Sequence, residues 1–146
     1  MNDYLNHPVF QIYAISCLVL CADLLFLWGY SGAVRAKVSS TPNQEDVTQF
    51  GGSLAEFDPP PIARVLRAHR NAQANIFPFL MLGLVFVLMG GTRGHALILF
   101  GTFTVARLIH SFVYLKALQP WRTIFFTIGG LATIALMLDI VWLMVR

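Results

Sequence analysis

Residues 64–83 read RVLRAHRNAQANIFPFLMLG. The first twelve are mostly polar and basic, and the rest are apolar through to Gly91. At 1.5 Å per residue the apolar part, Ile76 to Gly91, reaches only about 24 Å, short of a bilayer core of about 30 Å. The basic half of such a helix must therefore lie at the headgroups or inside a bundle. On a wheel of 100° per residue, Arg64, Arg67, Arg70, Asn71, Ala74 and Asn75 share one sector, with His69 pointing elsewhere. Pro78 falls near the middle and is expected to bend the helix.

Working outward, three more apolar runs appear. The first is Val9 to Tyr30, in which Gln11 and Asp23 are the strongly polar groups. No Lys or Arg precedes Arg35, which is unlike the basic start of a signal peptide. A third run begins near His95 and ends near Lys116, and a fourth covers Trp121 to Val145 with Asp139 inside it. The expected architecture is all-α: a bundle of four membrane-spanning helices running up and down at about 8–35, 61–90, 95–116 and 121–145. All of it forms one domain over residues 1–146. A polar loop, 36–60, carries Pro42, Gly51, Gly52, Glu45, Asp46, Glu56 and Asp58. Asp58 is the expected N-cap of the second helix, with prolines in the first turn.

Composition agrees. The 146 residues are 57% hydrophobic and 12% charged, with mean hydropathy +0.67. An ordinary soluble domain is about one-quarter charged. Cys17 and Cys21, the two cysteines, lie four apart in an apolar run, a pattern of helix surface and not of a disulfide framework or zinc site. No metal is expected, and nothing points to nucleic acid. Arg35, Lys37, Arg64, Arg67, Arg70, Arg107, Lys116 and Arg122 fall on one side of the four spans, against Arg93 and Arg146 on the other. The basic side is expected to be cytoplasmic, with both termini opposite. This would be the inner membrane of a bacterium or the endoplasmic reticulum of a eukaryote.

Arg107, His110, Ser111 and Tyr114 form a second polar stripe, at i, i+3, i+4, i+7 on the third span. Snorkelling to lipid phosphates explains Lys37 and Lys116. Arg107 and His110 lie about two turns inside the last polar residue, and groups at that depth usually face a bundle interior or wet cavity. Guanidiniums, Asn, His and Tyr above apolar walls suit a small anion, a carboxylate in particular, beside a lipophilic partner. Their field would also favour a thiolate. Asp23 and Asp139 read first as structural partners of neighbouring helices, with proton carriage in a small exporter as the alternative.

RVLRAHRNAQANIFPFLMLG resembles the second helix of the MAPEG family, membrane-associated proteins in eicosanoid and glutathione metabolism. VARLIHSFVYLKALQPWRT resembles its third helix and the start of its fourth, and GAVRAKV, NQEDV and FGG resemble the end of its first helix and the following loop. The resemblance runs from about Gly32 to Trp142. It implies a homotrimer with glutathione bound between subunits on the cytoplasmic side, and a transferase or isomerase acting on a lipophilic electrophile or lipid peroxide. Arg35, Arg70, Asn71, His110, Tyr114 and Arg122 match positions that contact glutathione or shape its pocket. Arg67 and Arg107 match basic positions of the same cluster. Arg122 matches the arginine that stabilises the thiolate, Thr123 stands where a serine faces the sulfur, and Asp46 matches an aspartate assigned to proton transfer. A glutamate three residues after the Asn is Ala74 here, and a tyrosine near the start of the fourth helix is Phe126. The family also holds a non-catalytic lipid-binding member, which is the alternative reading.

Overall fold

The computed structural model describes residues 7–146. Its elements, in order, are α1 (Pro8–Val38), β1 (Ser40–Thr41), α2 (Gln44–Phe50), β2 (Ser53–Leu54), α3 (Pro60–Leu88), α4 (Arg93–Leu115) and α5 (Trp121–Val145). The four long helices each contain an 18-residue stretch of mean hydropathy between 1.6 and 2.2, long and apolar enough to cross a membrane. They match the four expected spans, with shifted ends.

The shifts have local causes. Helix α1 runs one turn past its expected end, through Val38, because nothing in VRAKV breaks it. It stops at Ser39, whose left-handed backbone (φ 53°) turns its N–H back onto Ala36 and Arg35. The expected 36–60 loop is partly ordered. Ser40 pairs with Ser53 and Thr41 with Leu54 in a two-residue parallel ladder, with α2 bridging the strands. Gly52 makes this return possible: its φ is +99°, and a Cβ there would lie 2.6 Å from the Ser39 carbonyl oxygen.

Asp58 is not the cap of α3, as expected from sequence. Pro59 occupies that position, without a side-chain cap. Asp58 instead pairs with Arg35 at 2.7 Å, tying the start of α3 to the end of α1. An ion pair reached across the loop has taken the carboxylate from the local cap. Helix α3 continues through Pro78 to Leu88 without interruption. Helix α4 begins two residues before the expected His95, because Thr92 caps it by accepting from the His95 N–H at 3.4 Å.

Helix α1 packs on α3 and α4, and α5 packs chiefly on α4 with a smaller contact on α3. The centre of the bundle is aromatic. Phe79 and Phe103 stack in parallel with centroids 3.6 Å apart. Phe100 meets Phe79 edge-on at 5.6 Å and Phe86 at 5.9 Å, and all four rings are fully buried. Leu20 and Leu27 of α1, Ile76 of α3 and Leu136 of α5 complete the packing. Outward, Leu18, Leu25, Trp28, Leu88, Ile98, Leu131 and Trp142 are exposed, a surface that water would not tolerate but lipid would.

Candidate functional site

At the end of the bundle where α3 and α5 begin and α4 ends, three helices open a polar cleft. Asn71 comes from α3, His110 and Tyr114 from α4, and Arg122, Thr123 and Phe126 from α5. The space is about 290 Å³. The sequence stripe of α4 explains the arrangement: His110 and Tyr114 are one turn apart and point the same way, with ring centroids 5.6 Å apart. His110 is buried, and Phe126 closes its other side at 6.0 Å.

Arg122 is the charge of this cleft. Its guanidinium carbon lies 5.0 Å from the Tyr114 ring centroid, a cation–π contact. Gln119, in the short joint before α5, holds it from behind. With its amide oxygen turned to the guanidinium, Gln119 accepts Arg122 Nη2 at 2.7 Å and Nε at 3.2 Å, and its NH₂ donates to Thr123 Oγ1 at 3.1 Å. This orientation is required, since a guanidinium can only donate. Thr123 thereby receives a hydrogen bond and keeps its own O–H proton free. Gln119 was missed in the sequence. Its spacing of three and four residues before Arg122 and Thr123, around a helix start, was the available signal.

Arg107 lies one layer deeper and is fully buried. Its Nη2 donates to Asn71 Oδ1 at 2.8 Å, so it touches a wall of the cleft and not the space itself. Its stem passes Gly129 of α5, where a Cβ would sit 3.4 Å from Arg107 Cδ. One turn on, Ser111 donates to Asp23 Oδ2 of α1 at 2.8 Å, giving Asp23 the structural partner expected of it. Asp139 finds its own at the opposite end of the bundle, where His95 Nδ1 lies 2.7 Å from its Oδ2.

The other expected site residues are not in the cleft of a single chain. Arg67 and Arg70 are exposed on α3, as is Ala74. Asn71 is half-buried, so the sector read as one stripe divides into an inward edge and an outward one. Arg35 and Asp46 line a separate hollow of about 440 Å³ under the loop, with Gly32, Ser40, Thr41 and Phe50. Asp46 Oδ2 there accepts from Thr41 Oγ1 and Asn43 Nδ2, each at 3.0 Å. Arg35 is engaged with Asp58.

Four lipid-facing helices with a guanidinium-centred cleft at one end define a polytopic α-helical membrane protein. The chain belongs to the MAPEG family, whose model matches residues 13–142. It is similar to the prostaglandin E synthase of Equus caballus, 35% identical over 135 residues covering 88% of each chain. The prostaglandin E synthase of Homo sapiens is 34% identical over 135 residues, 88% of this chain and 89% of its own. Microsomal glutathione S-transferase 1 of Sus scrofa is 30% identical over 141 residues, 93% of this chain and 91% of its own.

Proposed function

We propose that this protein is a membrane-embedded glutathione-dependent transferase or isomerase acting on a lipophilic electrophile or lipid peroxide. The observation that carries the reading is the Gln119–Arg122–Thr123 arrangement over Tyr114. A free thiol of pKa about 8.5 is mostly protonated near neutral pH. A cation already fixed by its neighbours favours the thiolate without reorganising when charge develops. The free proton of Thr123 is available to the same sulfur. The Asn71 NH₂ and the outward Arg67 and Arg70 suit the carboxylates and carbonyls of the tripeptide, and Phe126 begins the apolar wall for the electrophile. The relatives named for prostaglandin E synthesis and glutathione transfer support this class of chemistry.

The assembly belongs to the same proposal. Arg67 and Arg70 facing lipid would be costly, and Arg35 and Asp46 stand apart from Arg122 within one chain. A homotrimer that brings α3 of one subunit beside its neighbour would remove both difficulties, with the cleft on the cytoplasmic side. A mass in detergent corresponding to a stable monomer would count against it.

Turnover of a generic aromatic halide with glutathione, by the purified protein in detergent, tests the reading. Arg122→Ala should lower kcat by roughly 2–4 kcal/mol of transition-state stabilisation, the worth of one preorganised donor, with a modest change in KM. One feature favours a second reading: Ala74 stands where the family carries an acid that helps hold glutathione. If the wild type consumes no glutathione with either the halide or a lipid hydroperoxide, the chain is instead a non-catalytic lipid-binding member.

A further inference from the structure

Helix α1 contributes no side chain to the cleft, yet it carries Asp23, the one buried acid among the described residues. Asp23 is buried and accepts from Ser111 Oγ of α4 at 2.8 Å. Ser111 is one helical turn from Arg107, and Arg107 Nη2 donates to Asn71 Oδ1 at 2.8 Å. A guanidinium cannot shed its proton in a protein, so a fully buried one needs a counter-charge. Asp23, held by Ser111 one turn along α4 from Arg107, is the buried acid placed to supply it among the described residues.

Arg107 is also lightly held. Its Nε and Nη1 are buried without a hydrogen-bond partner, which leaves the Asn71 bond as its one directional tether among the described residues. The direction of that bond has a consequence. With Oδ1 occupied by Arg107, the Asn71 amide is fixed with its NH₂ as the group left to face the cleft. A reversed amide would set two donors against each other and offer an oxygen to an anionic ligand.

We propose that Asp23 is a positioning residue for the thiol site: its carboxylate, joined to Ser111 and balancing Arg107, keeps Arg107 on Asn71 Oδ1 and so presents the Asn71 NH₂ to the ligand. The inference rests on the glutathione reading above. It assigns α1 a part in ligand binding, through charge and not through contact. The ligand group that this donor suits is an acceptor of the tripeptide, a carboxylate or an amide carbonyl.

A double-mutant cycle tests the inference. Asp23→Asn retains an acceptor for Ser111 and removes only the charge. It should raise the KM for glutathione about fivefold, within the range of coupled neighbours, while kcat with the aromatic halide stays within about twofold. Arg107→Gln should raise KM similarly, and the double variant no further, because both act through one amide. If Arg107→Gln does not accumulate, Asn71→Ser takes its corner of the cycle, and Asp23→Asn must then add nothing to it. An unchanged KM in Asp23→Asn, or effects that simply multiply in the double variant, would overturn the assignment while leaving the enzyme reading intact. Absence of glutathione turnover in the wild type itself would overturn both, and is seen before any variant is made.

Discussion

Replacing Gln119 isolates what the structure adds to the family resemblance. The carboxamide accepts two bonds from Arg122 and donates one to Thr123. Gln119→Leu removes all three. Hydrogen bonds to charged groups contribute about 1.5–3 kcal/mol when well made, but Gln119 is exposed and water can take its place, so about 1 kcal/mol is the expected loss. That corresponds to a fall in kcat of roughly fivefold, from a guanidinium less well held over Tyr114. Gln119→Glu has a different consequence. It keeps the geometry and places a carboxylate about 3 Å from the guanidinium, where a partly wet site gives an attraction of about 2–3 kcal/mol. The field at the sulfur is then largely cancelled, and kcat should fall roughly 30- to 100-fold, close to the effect of Arg122→Ala. The assay is steady-state conjugation with glutathione saturating, alongside the ultraviolet absorbance of bound thiolate, which should weaken in the same order. The order Leu milder than Glu is the point of the experiment. If Gln119→Glu is as active as the wild type while Arg122→Ala is not, the guanidinium acts by some means other than its field, and the thiolate argument fails.

Arg70→Ala should raise the KM for glutathione roughly tenfold, the loss of one charge-assisted bond, with kcat little changed in the same assay. Gly91→Ala would put a Cβ 2.2 Å from Cζ of the fully buried Phe86, and should destabilise the bundle by about 1–3 kcal/mol, read as a lower melting temperature in detergent. After Cys17 and Cys21 are changed to serine, a cysteine introduced at Thr48 should react with an impermeant maleimide from the cytoplasmic side only, and one at Gly94 from the opposite side only. Reversed labelling would sink the topology.

The four spans were legible because hydropathy is a property of long windows, and one misplaced polar residue does not hide it. The depth of Arg107 and His110 was legible for a related reason: no lipid-facing explanation fits a charge two turns inside a span. What separates Arg107 from Arg70 was not. Both lie on polar stripes, and a wheel shows which residues share a face without showing what that face meets. Asp58 failed for the opposite reason. Its position before three prolines satisfies a local capping rule, but Arg35, more than twenty residues earlier, offers a full charge. The order within 36–60 was hidden because two-residue strands and a seven-residue helix are too short for any periodicity. Gln119 carries no hydropathy signal, and its role exists only because the turn before α5 aims it at the following helix.

The stacked rings of Phe79 and Phe103, with Phe100 and Phe86 beyond them, separate the cleft from the His95–Asp139 end. Arg107 sits one turn from Phe103, so the polar interior stops where the aromatic packing starts. A membrane protein with charged groups near both ends runs the risk of a water file between them. Through such a file, protons would leak down the membrane potential. Four fully buried rings, each packed on at least one other, put apolar packing across that path, so a charge-rich cleft can be sunk into the bilayer without uncoupling the membrane that houses it.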